Sequence, residues 1–277
     1  MTPSTAPPVA GFSTPNKCGT ISVIIPIWRD LEALSERMKI LRASDQVRET
    51  IVSLAEPNPE LIARIKELGA AVINAGAPNR GRQLDLGASV ATGNWLLFHH
   101  ADSQLTPEHL RALGELDLTG KVVGGAFYRR FDERHPRLRP LEKIERWHNR
   151  SFGALYGDQS IFVRRELFAG MGGFRGLPLM EDVDFSLRLR RAGWVVLLDP
   201  PMASSPRRHL TRGPWRMTFT NLALLIFFRL GVSPHRLHAW YYRARASGAC
   251  PDANSCAAAA ALLPATPTPH PLNKLAS

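Results

Sequence analysis

The chain has 277 residues and a formal net charge of +11, from 35 Lys+Arg against 24 Asp+Glu. That balance suits phosphorylated small molecules, nucleic acid or an anionic membrane surface, but the arginine clusters Arg129–Arg130, Arg164–Arg165, Arg188–Arg191 and Arg207–Arg208 are spread out, and the absence of zinc-finger spacing or a basic zipper argues against nucleic acid. The three cysteines (Cys18, Cys250, Cys256) make no disulfide framework, no secretory signal is visible, and the apolar run Leu222–Phe228 falls far short of the roughly 20 residues of a spanning helix, so a cytoplasmic protein is expected.

Residues 1–19 are rich in Pro, Ser and Thr, and residues 247–277 in Ala and Pro; both read as disordered flanks. Between them, residues 20–246 are long enough for one α/β domain. Its first half alternates. Ile21–Ile27 is a continuous apolar run that reads as a buried parallel strand, followed by a helix with apolar positions Leu31, Leu34, Met38 and Leu41. Val47–Leu54 is a second strand, Pro59–Leu68 a helix closed by Gly69, and Ala70–Asn74 a short third strand. Arg80–Ala91 reads as a helix and Trp95–His99 as a fourth strand. Such alternation predicts a doubly wound, mostly parallel sheet with helices on both faces. Ligands in such sheets sit at the carboxyl ends of the strands, which places Pro26, Trp28 and the turn from His99 to Asp102 on that edge.

The second half is less regular. Val122–Phe131 reads as a long strand, Leu138–Ser151 as a helix and Ser160–Val163 as a short strand followed by a turn. The segment PLMEDVDFSLRLRRAG, residues 178–193, opens a helix at Glu181 and Asp182 and stops at Gly193. Trp194–Leu198 is a further strand, and residues 215–231 and 234–245 form a C-terminal helical segment.

Four places carry chemistry. A carboxylate at a helix start is held by unsatisfied backbone N–H groups and the positive dipole end, so Glu181 and Asp182 are either a general base facing an acceptor or a plain cap. Asp102, at the end of the fourth strand, can coordinate a divalent cation on a diphosphate, or it is a turn residue. His99 and His100 point to opposite faces of a strand, which disfavours a shared zinc. Arg80 and Arg82, at a loop-to-helix junction, can meet phosphate or lie on the surface. Asp158 and Gln159 either contact a sugar or acceptor hydroxyl or make a turn.

The segments ISVIIPIW, GRQLDLGASVATGNWLLFHHADSQLTP, GGAFYRRFD, GDQSIFVRRELF, MGGF, PLMEDVDFSLRLRRAG and SSPRRH follow one another over about residues 20 to 245. In this order they resemble family 2 glycosyltransferases of the GT-A fold, and within them the bacterial subgroup associated with radical-SAM and selenium-related domain proteins. The resemblance implies a Rossmann-type GT-A domain with a nucleotide-binding half (20–106), an acceptor-side half (107–213) and C-terminal helices (214–246). It implies an inverting transferase using a nucleotide-sugar donor and a divalent metal, Mg2+ or Mn2+. Asp102 stands at the last position of the family's Asp-x-Asp motif as the metal ligand, with Ala101 beside it and His100 in the first position. Asp182 falls on the catalytic base, Glu181 shapes the acceptor site, and Arg207 and Arg208 match a late basic motif near the diphosphate. Pro26, Trp28, Arg80 and Arg82 complete the donor site, and Asp158 and Gln159 the acceptor side.

The family's aspartate at the end of strand two is missing, and Ser53 or Leu54 stands there. This departure motivates an alternative, a catalytically weakened nucleotide-binding or assembly protein of the same fold. The resemblance leaves the acceptor open, a lipid-linked one included. Basic residues beside apolar stretches in 216–229 and 236–245 read either as interfacial helices, giving a peripheral protein on the inner face of the membrane, or as a helical lid.

Overall fold

The computed structural model of the protein describes residues 19–28, 31–100, 103–131, 138–204 and 213–246. Its strands are β1 (Ile21–Ile27), β2 (Val47–Ala55), β3 (Ala71–Gly76), β4 (Trp95–Phe98), β5 (Val122–Phe131), β6 (Ile161–Arg164) and β7 (Trp194–Ser204). They form one sheet in the order β3-β2-β1-β4-β6-β5-β7. β3, β2, β1 and β4 run parallel to one another, and β5 and β7 are parallel to each other. Only β6 runs against both of its neighbours, β4 and β5. The mostly parallel, doubly wound sheet expected from the sequence is therefore what the chain builds.

The described helices are α1 (Glu32–Arg42), α2 (Pro59–Glu67), α3 (Arg80–Ser89), α4 (Pro107–Gly114), α5 (Arg139–Phe152), α6 (Arg165–Gly170), α7 (Glu181–Ala192), α8 (Pro214–Arg229) and α9 (Pro234–Ala246). Two expectations are corrected. The turn expected after the β6 segment is the short helix α6, which buries Phe168. The strand expected to end at Leu198 runs on to Ser204, through Pro200 and Pro201. β7 closes the sheet on its outer side, and its pairing with β5 shifts register between Phe127 and Arg129. An edge strand with a bulge tolerates prolines that a central strand would reject.

Both faces of the sheet are covered, which is why β1 is apolar apart from Ser22, whose buried hydroxyl donates to Glu49. Ile21, Val23, Ile25 and Ile27 point to one face and meet Leu34, Met38 and Leu41 of α1 and Leu110 and Leu113 of α4. Ile24 points to the other and joins Leu84 and Ala88 of α3 with Phe185 and Leu189 of α7. The alternation is the two-residue period of a strand.

Two compact units divide within α8, after Asn221. The first holds the whole sheet. The described part of the second is the end of α8 and the helix α9, and Leu224, Leu225 and Leu237 are its buried residues.

Candidate active site

The carboxyl ends of β1, β2 and β4 share one edge of the sheet. Because β6 runs in the opposite sense, its start lies on that same edge. A single 3-10 turn, Gly157–Gln159, leads into it. Topology therefore brings the GDQ segment beside His99 and His100, although some 60 residues separate them.

α7 begins at the same place. Its cap residue is Met180, held in the left-handed region at φ 66° with no side-chain capping bond. A non-glycine residue there is uncommon and costs backbone strain. The next residues, Glu181 and Asp182, are thus inside the first turn, where N–H groups are still unsatisfied. Asp182 Oδ1 accepts from the backbone N–H of Val183 at 2.8 Å, and Oδ2 accepts from that of Gly157 at 2.8 Å. The carboxylate is pinned by two amides from two different elements.

Around it lies a tight group of charges. Arg80, the first residue of α3, reaches Glu181 with Nη1 3.4 Å from Oε1. Its guanidinium lies so close over Gly157 that a Cβ on that residue would overlap it. Arg129, near the end of β5, donates to Asp158 Oδ2 at 2.8 Å. Asp158 Oδ1 is buried with no hydrogen-bond partner.

The electrostatics follow from burial and charge. Burial pushes Glu181 up to about 7; the neighbouring Asp182 charge adds, and Arg80 opposes. Burial also raises Asp182 above its ordinary value, against Arg80 and the two amide hydrogen bonds, with the charge of Asp158 adding a smaller upward push. For Asp158, desolvation is outweighed by Arg129, and the carboxyl is held below its ordinary value. Two adjacent carboxyls with raised values share charge. Asp182 has the two N–H donors, so it keeps the negative charge while Glu181 more readily holds the proton.

His99 is fully buried, and Nδ1 lies 2.8 Å from Ser160 Oγ. Burial, then the charge of His100, lowers it to about 3, so the ring is neutral. His99 is a structural tie between β4 and the start of β6. Gln159 is also buried, and its Oε1 accepts from the Tyr156 N–H at 2.9 Å within the 3-10 turn. Arg82 is exposed, and its backbone N–H, not its guanidinium, is engaged, by Asn79 Oδ1 at 2.9 Å.

The structure therefore brings Arg80, Asp158, Glu181 and Asp182 together, and places Gln159 in the turn beneath them. Pro26 is half-buried within β1, opposite Ser53, and Trp28 follows at the strand's end. Ala101, Asp102, Arg207 and Arg208 lie outside the described residues.

The end of β2 differs from the sequence reading. Ser53 and Leu54 are fully buried inside the strand, which continues to Ala55. The residue at the strand's end is Glu56, exposed, with φ 49°. Its Oε2 accepts from the Trp28 indole N–H at 2.7 Å. An acidic side chain does stand at this edge, two residues beyond Leu54 and three beyond Ser53. Arg129, Gly157 and Glu56 were missed as site residues. Of these only Gly157 carried a local signal, as a glycine directly before an Asp-Gln pair.

Residues 22–173, more than half of the chain, match the family model described as glycosyl transferase family 2. The chain is a family 2 glycosyltransferase. No curated protein matches this glycosyltransferase by sequence. Its fold is similar to that of mannosyltransferase PcManGT from Pyrobaculum calidifontis, solved with GDP-Man and Mn2+. The two share 18% identity over 88% of this chain and 80% of that one, with a TM-score of 0.57. A mannosyl-3-phosphoglycerate synthase from Rubrobacter xylanophilus is similar over 70% of each chain, at 20% identity and TM-score 0.48. A glucosyl-3-phosphoglycerate synthase from Mycobacterium tuberculosis, in complex with Mn2+, UDP and glucosyl-3-phosphoglycerate, is similar over 67% of this chain and 71% of that one, at 20% identity and TM-score 0.47. The sheet order and its flanking helices give the glycosyltransferase the GT-A-like α/β fold.

Proposed function

We propose that this glycosyltransferase moves a sugar from a nucleotide-diphosphate donor to a hydroxyl acceptor with inversion, and that Asp182 is the general base. The observation that carries the reading is the anchoring of Asp182: both its oxygens are oriented by backbone N–H groups, and Arg80, Glu181 and Asp158 surround it on the ligand edge of the sheet. A carboxylate fixed in this way is placed in advance, which is what proton removal from an acceptor requires. As the bond from the anomeric carbon to the diphosphate breaks, positive charge builds on the carbon and negative charge on the leaving group. A base on the side opposite the leaving group inverts the centre. A carboxylate suffices, because the acceptor proton becomes acidic once the hydroxyl oxygen bonds to that carbon.

The donor side fits the same reading. Arg80 offers a guanidinium beside the site, and Arg207 and Arg208 are proposed to meet the diphosphate. Among the described residues no three His, Cys, Asp or Glu side chains gather as a metal site. A Mg2+ or Mn2+ ion held by Asp102 and by donor phosphates needs no such cluster, since such ions are commonly held by one or two carboxylates plus phosphate oxygens. When bound, the ion would neutralise charge on the leaving diphosphate. The fold likeness to a mannosyltransferase solved with GDP-Man and Mn2+ supports this choice of donor class and ion. We further propose that the chain belongs to the radical-SAM and selenodomain-associated subgroup, in which His in the first place of the Asp-x-Asp motif, here His100, is tolerated.

A second reading is a nucleotide-binding or assembly protein with weakened catalysis, motivated by the absent strand-two aspartate. Glu56 at the end of β2 weakens that motive, because it supplies an acidic group at the same edge. A panel of sugar nucleotides with Mn2+ or Mg2+ separates the two. The proposal expects at least one donor to be turned over and the turnover to stop on chelation. Tight nucleotide binding with no sugar released in the presence of acceptor extracts supports the second reading instead.

A further inference from the structure

From Pro200 to Pro251 the chain contains no Asp or Glu, yet it contains eight arginines: Arg207, Arg208, Arg212, Arg216, Arg229, Arg236, Arg243 and Arg245. This stretch therefore carries most of the chain's net charge of +11. Within it, α8 has no charged residue between Arg216 and Arg229. The intervening sequence, MTFTNLALLIFF, has only Thr218, Thr220 and Asn221 as polar residues, and from Leu222 to Phe228 it is apolar on every side. A helix of that kind is either buried on all sides or sits in lipid. Here it is not buried on all sides: Trp215, Ile226 and Phe227 are roughly half exposed, Phe219 is 61% exposed, and Leu230, just past the helix, is 74% exposed. On α9, Trp240 is exposed too.

At 16 residues α8 is about 24 Å long, and no described helix is long and apolar enough to cross a membrane. The helix can instead lie against the interface: exposed Ile226, Phe227 and Leu230 at its end can enter the acyl boundary while Arg229 beside them stays at the headgroups. Aromatic residues with one apolar and one polar end favour that depth. A second copy of the chain is a poor occupant, since it would set one acid-free arginine-rich surface against another. Nucleic acid would match the charge but leaves Leu222, Ile226 and Leu230 without a purpose. An anionic lipid surface matches both the charge and the aliphatic side chains.

We propose that the second unit, the end of α8 from Leu222 together with α9, forms a docking surface for anionic membranes. The proposal concerns attachment and not glycosyl transfer, so it can fail while the reading of Asp182 stands, and the reverse. The test is co-sedimentation of the full chain with vesicles of phosphatidylcholine alone or mixed with phosphatidylglycerol, at low and high salt. Binding is expected to the mixed vesicles, weakly to the neutral ones, and to fall as salt rises. Two double variants are compared, Ile226→Ser with Leu230→Ser, and Arg229→Gln with Arg236→Gln. All four side chains are removed from the surfaces or ends of the two helices, and circular dichroism checks that the fold is kept. Each pair should weaken binding by roughly ten-fold or more. Absence of binding to the mixed vesicles, or binding by both variants as tight as that of the parent chain, overturns the proposal. So does a stable dimer in light scattering that Ile226→Ser dissociates, which would assign the surface to a second copy. Duplex DNA binding more tightly than the vesicles, and indifferent to the serine variants, would overturn it in favour of nucleic acid.

Discussion

Two neighbouring carboxyls at one helix start divide their labour by what surrounds each oxygen. Glu181 is raised from 4.5 to about 7, mainly by burial. It binds a proton more tightly in the folded chain than in the unfolded one, so its contribution to stability falls as pH rises from 4.5 towards 7. Glu181→Gln removes that loss. The difference in Tm between the variant and the parent should therefore grow in the variant's favour between pH 4 and pH 8. A shift of this size is worth at most about 3 kcal/mol, or up to roughly 6–12 °C for a domain of this length. A pH-independent difference would contradict the assignment. Asp182 is also raised, so the acid limb of the rate profile should lie above the ordinary aspartate range, with activity falling as pH drops through it. Gly157→Ala tests the same network from the backbone. The new methyl overlaps the Arg80 guanidinium and disturbs the N–H bond to Asp182. Both losses disfavour the Asp182 anion, so kcat/KM should drop by about ten-fold or more and the acid limb should move to higher pH.

At the scale of the element, α7 makes this arrangement rigid. Its buried face carries Phe185, whose ring lies 4.5 Å from Phe174, 5.5 Å from Phe168 and 6.4 Å from Phe98, centroid to centroid. Arg188, one turn on, donates to Asp184 at 2.8 Å and to the carbonyls of Met171 and Gly173 at 3.1 and 2.6 Å. The helix is thereby tied to the glycine-rich loop before it and to β4. Phe185→Ala should cost about 3–5 kcal/mol in urea unfolding, since it empties the middle of an aromatic cluster. The bounds of α7 were legible in the sequence: acidic residues in the first turn, arginines in the last and a glycine after it are local signals. The extension of β7 through Pro200 and Pro201 was not, because tolerance of those prolines depends on being an edge strand beside a register shift, which only the assembled sheet decides.

For the whole molecule, the order of strands and helices in the first half could be read from hydrophobic period alone, and the ligand edge followed from it. The site could be read only in pieces. Arg80 and Glu181 are 101 residues apart, Arg129 and Asp158 are 29 apart, and Gly157 and Asp182 are 25 apart. No local pattern pairs them; the reversal of β6 does, by carrying the Gly157–Gln159 turn to the carboxyl edge. Glu56 was hidden for a related reason, since the strand it ends is longer than its apolar run suggested. Among the described residues, the assembled edge makes Asp182 the one carboxylate fixed by amides from two separate elements. The most direct test replaces it with asparagine, which keeps the shape and removes the charge. With a donor that the parent turns over, Asp182→Asn should bind that donor with nearly unchanged affinity and lose transfer by about a thousand-fold or more. Transfer within a few-fold of the parent would contradict the account.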